Sequence, residues 1–365
     1  MKFSISKESF LTALQQVQHV VSTRTTLPIL SNVLIKAGKG QIQFATTDLD
    51  VGISGTVTAD VQEPGATTLP ARKLASIIRE LPSDEVDVTV DEKNVAHIRS
   101  GPSYFKVMGL AHDEFPPLPT FDDAREFKLE QRVLKDCLRK TSYSISTDET
   151  RYVLNGILCS FKESMLTMVA TDGRRLAMVE QEVEFPQSHE VDIIIPTKAV
   201  NEIQRLLGDE GEVTLKVGSG QIGFDLGNYF LASKLIEGNY PNYRQVIPGE
   251  SKERIALERE PLLRMLGRVS LLLSDKSNSV KLHFTRDNLE MVANSPDVGE
   301  ARESVPISYK GAEMTIAFNP EFFMAPLRNL VSDEVHLHLI DEISPGVLRS
   351  GSNFLYVLMP MRVNS

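Results

Sequence analysis

The glycines of Gly218-Ser219-Gly220-Gln221-Ile222-Gly223 have the spacing of a loop that cradles a dinucleotide phosphate. Such a loop must join a strand to a helix. Here alternating strand patterns flank it, and Asp91-Glu92-Lys93-Asn94 holds the matching place earlier in the chain, so it reads as a hairpin turn. His336 and His338 share one strand face and offer two imidazoles to a metal, with no third ligand close by in the sequence. Cys137 falls on the apolar stripe of a helix, a poor setting for a reactive thiolate. With Cys159 it makes only two cysteines, too few for a disulfide framework or a cysteine metal site. Asp172 suggests an acid catalyst, but Asp48 occupies a matching turn, which favours a structural role for both. There is no GKS/GKT phosphate loop and no GxSxG nucleophile turn. The expectation is a protein without an active site, metal or cofactor.

The elements that would carry these residues repeat three times. Pro70, Pro196 and Pro320 each open a short amphipathic helix, followed by an acidic turn and an alternating strand, at intervals of about 125 residues. Phe115-Pro116, Tyr240-Pro241 and Met359-Pro360 close the three segments, and Thr47-Asp48-Leu49, Thr171-Asp172-Gly173 and Asn294-Ser295-Pro296 mark a turn within each. Each segment also begins with a helix, over 7–20, 130–141 and 260–273. Two helices and about eight strands per repeat predict an α+β fold of three similar domains, helices covering antiparallel sheets, over residues 1–122, 123–250 and 251–365.

Charge separates along the same elements. The formal net charge is −10, which by itself argues against a polyanionic partner. The six candidate helices are nevertheless net positive, so the acidity lies in the remainder. On 71–81 the stripe Leu74, Ile77, Ile78 and Leu81 leaves Arg72 and Arg79 outside. On 197–207 Val200, Ile203 and Leu207 leave Lys198, Glu202 and Arg205 outside, and on 130–141 Arg132, Asp136 and Arg139 lie opposite Leu134, Cys137, Leu138 and Thr141. One such helix reads as an ordinary solvated face. Three with basic residues seven apart point to a shared surface for phosphates. Twelve such helices, in a closed dimer, would enclose a bore of ~38 Å at a helix diameter of about 10 Å, wide enough for a DNA duplex.

The segments Thr26-Leu27-Pro28-Ile29-Leu30, Arg151-Tyr152-Val153-Leu154-Asn155-Gly156, Ala170-Thr171-Asp172-Gly173-Arg174-Arg175-Leu176-Ala177, Tyr240-Pro241-Asn242-Tyr243-Arg244 and Met359-Pro360-Met361-Arg362 resemble, over the whole length, the bacterial DNA polymerase III beta subunit family of replicative sliding clamps. The resemblance implies a DNA-clamp fold closed into a ring as a head-to-tail homodimer, a processivity factor around double-stranded DNA without sequence preference. Its implied partners are a clamp loader, the replicative polymerase catalytic subunit, and translesion polymerases and repair proteins that carry a short peptide of glutamine, leucine and phenylalanine-type residues. The peptide cleft carries over onto Leu154, Thr171, Gly173, Arg174, Arg175, Leu176, Pro241, Val246, Ile343, Val357, Met359, Pro360, Met361 and Arg362. Methionine and proline would give an adaptable floor, with arginines at the rim; the Met359-Pro360-Met361 run reads equally as plain core.

The implied DNA contacts are Arg24 and Tyr152, supported by Lys198, Arg72, Arg79 and Arg205. Asp148 and Val153 stand where the family pattern has a polar amide and a second tyrosine, and Gln245 replaces a usual arginine. Phe105, Leu272 and Leu273 match the apolar centre of the ring interface, although Leu271-Leu272-Leu273 also reads as internal core. The alternative from another class is a β-rich protein-binding scaffold that does not encircle DNA. The N-terminus lacks a signal-peptide pattern and no apolar run reaches membrane-spanning length, so the reading is cytoplasmic, with no membrane partner.

Overall fold

The computed structural model describes residues 1–21, 26–273 and 278–362. Six α-helices lie among them: α1 (Lys7–Val17), α2 (Ala71–Glu80), α3 (Gln131–Thr141), α4 (Thr197–Leu206), α5 (Arg259–Val269) and α6 (Pro320–Asn329). Their starts follow the local chemistry of the chain. Ser6 accepts the Ser9 N–H at 3.2 Å, and Asn319 accepts from Glu321 at 2.9 Å with Pro320 at the first helical position. Two helices are shorter than their periodicity predicts. Beyond Val17 the chain turns Val20 and Val21 into the core instead of continuing α1. The Ser270 hydroxyl donates back to the Leu266 carbonyl at 2.5 Å, and α5 tightens there into a 3-10 turn, Ser270–Leu272.

The buried stripes match the expected ones except at their edges. In α2 the buried residues are Ala71, Leu74, Ala75 and Ile78, and Ile77 is only half-buried. In α4 Val200 and Ile203 are buried as expected. Glu202, expected on the exposed side, is buried with them because it follows the buried Ala199 by three residues and so lies on the same face.

By packing, the chain divides into two compact units, Met1–Lys135 with Lys198–Leu235, and Asp136–Thr197 with Ile236–Ser365. Strand pairing explains why this division departs from the sequence repeat. In the first unit a five-stranded sheet runs in the order Asp60–Glu63, Lys2–Ser6, Glu85–Val90, Val95–Ser100, Ser103–Met108, and α1 packs on α2. The other sheet has eight strands, in which Tyr229–Lys234 of the second repeat pairs antiparallel with Val51–Thr58 of the first. The second unit repeats the arrangement. Its eight-stranded sheet joins Arg175–Glu182 of the second repeat to Phe354–Leu358 of the third, and its four-stranded sheet runs Gly299–Pro306, Asn288–Ser295, Val280–Thr285, Met314–Phe318. Every named pairing is antiparallel, and α5 packs on α6.

The glycine run at 218–223 is a hairpin turn. Gly218 N–H donates to the Gln221 carbonyl at 3.0 Å, between strands Glu212–Val217 and Gln221–Asp225. The Thr-Asp turns are equivalent bond for bond. Asp48 accepts the Asp50 and Val51 N–H groups at 3.1 and 2.8 Å, and Asp172 accepts those of Arg174 and Arg175 at 2.9 and 3.1 Å. The residue after each aspartate is left-handed, Leu49 at φ 79° and Gly173 at φ 85°. A leucine there pays a steric cost that glycine avoids. Replacing Leu49 with Gly is expected to stabilise the protein by about 0.5–1 kcal/mol, the left-handed penalty less the added freedom of the unfolded chain. Urea unfolding would read this as a higher midpoint; a lower one contradicts the strain.

Candidate functional site

All fourteen expected cleft residues belong to the second unit. Their foundation is the register between Arg175–Glu182 and Phe354–Leu358, which sets Leu176 directly opposite Val357. These two join Leu158, Val169, Ile194, Val347 and Leu355 in one apolar cluster, against which Val153, Tyr240, Tyr243 and Ile247 pack. The Thr171–Arg175 turn stands at the end of that register. The Thr171 hydroxyl donates to the Arg175 carbonyl at 2.6 Å and accepts the Gly173 N–H at 3.1 Å. Met359 N–H then donates to the Arg174 carbonyl at 3.0 Å, and Met361 N–H to Ala317 at 2.7 Å, so the tail is laid along the sheet as ordered backbone.

Exposure divides the expected cleft residues into two groups. Leu154, Leu176 and Val357 are buried, whereas Met359 is 44%, Val246 51% and Ile343 84% exposed. Pro241, Arg174 and Arg362 are exposed too, and Thr171, Pro360 and Met361 half-buried. The Asp341 carboxylate accepts the Ile343 and Ser344 N–H groups at 3.0 and 2.6 Å and so holds Ile343 outward. A core reading of Met359 therefore fails.

Arg175 departs from the expectation of a rim arginine. Its guanidinium lies 4.4 Å from the Phe322 ring centre, and Nε donates to Asp172 at 3.0 Å, with the two ion-paired side chains only 15% and 18% exposed. The strand direction turns it away from Leu176 and onto α6. Arg151 was not expected among the cleft residues. Its Nη1 points to the Asp172 carbonyl at 3.5 Å, and a Cβ at Gly173 would come within 2.8 Å of that nitrogen. Its place in the Arg151–Gly156 segment was the available signal.

The residues expected to face DNA fall in both units, with Arg24 outside the described residues. In the first unit Arg72, Arg79 and Arg205 are exposed. Burial, then the Arg205 cation, and further the Arg72 cation hold the His19 imidazole below its ordinary value, with Glu202 opposing. Arg72 of α2 and Arg205 of α4 thus both act on His19, which follows the end of α1. Lys198 is ion-paired with Asp48 and also points to the Val20 carbonyl at 3.5 Å. In the second unit Tyr152 is exposed beside Gly238, at φ 126°. Asp148 caps the short turn 149–154, accepting the Thr150 hydroxyl and N–H at 2.7 and 3.0 Å, bonds that hold its carboxyl below the usual range.

Phe105 is exposed with Tyr104 and Met108 on Ser103–Met108, an edge strand. Leu273 packs against the main core of the second unit, Leu272 is half-buried, and Leu271, at 80% exposure, is the one that projects. Cys137 is buried and its thiol pushed up to about 12 by desolvation, so it is no nucleophile. Among the described residues no helix is long and apolar enough to cross a membrane.

Three repeats of helices over antiparallel sheets, joined by strand pairs, make a three-domain clamp fold. Models of the DNA polymerase III beta subunit match in order: the N-terminal domain over residues 1–119, the central domain over 128–242 and the C-terminal domain over 244–362. The chain belongs to the DNA polymerase III beta subunit family. It is 36% identical over 364 residues to the beta sliding clamp of Chlamydia muridarum, covering 100% of both chains. Among solved structures it resembles the sliding clamp of Bartonella birtlesii bound to griselimycin (36% identity, TM-score 0.95) and that of Bacillus subtilis (29%, 0.96), each with 100% of both chains covered.

The Asp172–Arg175–Phe322 stack predicts that Arg175→Ala costs about 3 kcal/mol by leaving a largely buried carboxylate unpaired. Arg175→Lys should recover only part of this, since an ammonium keeps the charge but not the planar stack. Urea unfolding of both variants checks the order; equal stability of Arg175→Ala and the parent chain would refute it.

Proposed function

We propose that this chain is a DNA sliding clamp: two copies close head to tail into a ring around duplex DNA and tether polymerases through the groove at Leu176 and Val357. The domains would span 1–122, 123–250 and 251–365. The observation that carries the docking half is the apolar floor whose rim residues Met359, Val246 and Ile343 are exposed. As one contiguous patch, these side chains would mark a surface that a partner covers. A glutamine-leucine-phenylalanine peptide suits it, its apolar residues on the floor and its carbonyls and acidic flanks toward Arg174 and Arg362. The replicative polymerase, the clamp loader, translesion polymerases and repair proteins would share it in turn.

The DNA half rests on Arg72, Arg79, Arg205, Lys198, Tyr152 and Arg24. Among them Arg72, Arg79 and Arg205 are exposed; such cations on an otherwise acidic chain favour phosphates, and contacts limited to phosphates permit sliding. The Lys198–Asp48 pair means that this lysine would exchange one anion for another. The exposed edge Ser103–Met108, with Phe105, supplies unpaired backbone groups for the ring interface, as Gly299–Pro306 does at the other end of the chain. Such a protein holds its partners on DNA without chemistry of its own.

Loading the protein onto a nicked circular DNA with its loader, followed by linearisation, tests the ring. The clamp is expected to slide off the ends. Retention unchanged by cutting would favour a scaffold that does not encircle DNA. Separately, Met359→Glu is expected to weaken binding of a labelled glutamine-leucine-phenylalanine pentapeptide at least tenfold, by placing a charge at the rim, with the dimer intact in sedimentation. Unchanged peptide affinity would remove the groove from this role.

A further inference from the structure

The first unit contains a counterpart of the partner groove, built on the same register. Gly52 stands opposite Ala232, and Ala232 opposite Gly223, as Leu176 stands opposite Val357 and Val357 opposite Val347 in the second unit. The same backbone bond ends each register: Lys234 N–H to the Asp50 carbonyl at 2.9 Å, Met359 N–H to that of Arg174 at 3.0 Å. The side chains differ in one consistent way. Three adjacent strands carry Leu, Val and Val in the second unit but Gly, Ala and Gly in the first, where they leave a trench.

That trench is filled from within the chain. A Cβ at Gly52 would lie 2.5 Å from the Leu118 side chain, and one at Gly223 would lie 2.6 Å from Phe230 and 3.1 Å from Phe121. Phe121 and Phe230 meet edge to face at 5.6 Å. Phe115 is buried with Ile29, Leu30, Leu34 and Ala45, and Leu118 packs against that cluster. At the rim, where the second unit has exposed Met359 beside Arg174, the Lys234 ammonium donates to Asp50 at 2.9 Å.

We propose that the segment from Phe115 to Phe121 is a built-in occupant of this first groove, with Leu118 and Phe121 as its anchors. Its presence leaves each chain one open docking groove instead of two. This deepens the peptide-groove reading of the second unit and rests on it for the kind of ligand the emptied trench would take.

Alkylation of an Ala232→Cys chain by iodoacetamide tests the occupancy without any peptide. The native thiols are buried and give little background. In the otherwise intact chain the introduced thiol is expected to label slowly, and Leu118→Ala with Phe121→Ala should raise its rate at least tenfold under conditions where circular dichroism shows the fold retained. Leu118→Ala alone, the milder change, should raise it severalfold. Equal rates would overturn the proposal. Calorimetric titration with the glutamine-leucine-phenylalanine pentapeptide then counts sites: one per chain in the parent, two in the opened chain. Faster labelling with a single peptide bound would overturn the trench as a peptide groove. A parent chain that binds no peptide would instead refute the second-unit groove, leaving the labelling rates to decide the occupancy.

Discussion

Antiparallel pairing between strands of different repeats is the constraint on which the rest of this structure depends. Tyr229–Lys234 pairs with Val51–Thr58, and Phe354–Leu358 with Arg175–Glu182. Each pairing satisfies two strand edges that a lone repeat would leave open, and an open edge invites association with any other chain. Each also sets the register that places side chains from distant segments on one face. A slip by one residue would send Val357 and Met359 to opposite sides from those they now occupy.

The second repeat is thereby shared. Its strands Arg125–Glu130, Glu212–Val217, Gln221–Asp225 and Tyr229–Lys234 complete the sheet of the first unit, and its strands from Gly156 to Pro196 begin that of the second. A repeat that gives strands to two sheets couples its neighbours through main-chain hydrogen bonds, which do not depend on side-chain identity. Side chains at the two junctions were then free to diverge. One junction carries large residues and exposed apolar ends; the other carries glycine and alanine under a segment of the chain itself.

The Thr-Asp turn shows how far such divergence can go without loss of the frame. Both copies keep the aspartate that gathers two N–H groups and the threonine that bridges the turn. In the first copy Asp48 also pairs with Lys198, while in the second Asp172 pairs with Arg175, which lies on Phe322. The same backbone device thus anchors a lysine of a cation-bearing helix in one unit and holds an arginine over the Phe322 ring in the other.

By itself the chain declared its threefold repeat, its helices with the buried stripes of three of them, and the hairpin nature of the glycine run, because these follow from local periodicity and turn chemistry. Its motifs declared the family, and the cleft residues that came with the family all lie in one unit. The location of Leu176 against Val357 rests on a register between segments far apart in sequence, which local patterns do not encode. The stacking of Arg175 on Phe322, and the packing of Leu273 against the core of the second unit while Leu271 projects, depend on what each side chain meets across a packed interface. Only the tertiary structure set Leu118 over Gly52, since a small residue in a strand signals an open space and never names the side chain that fills it.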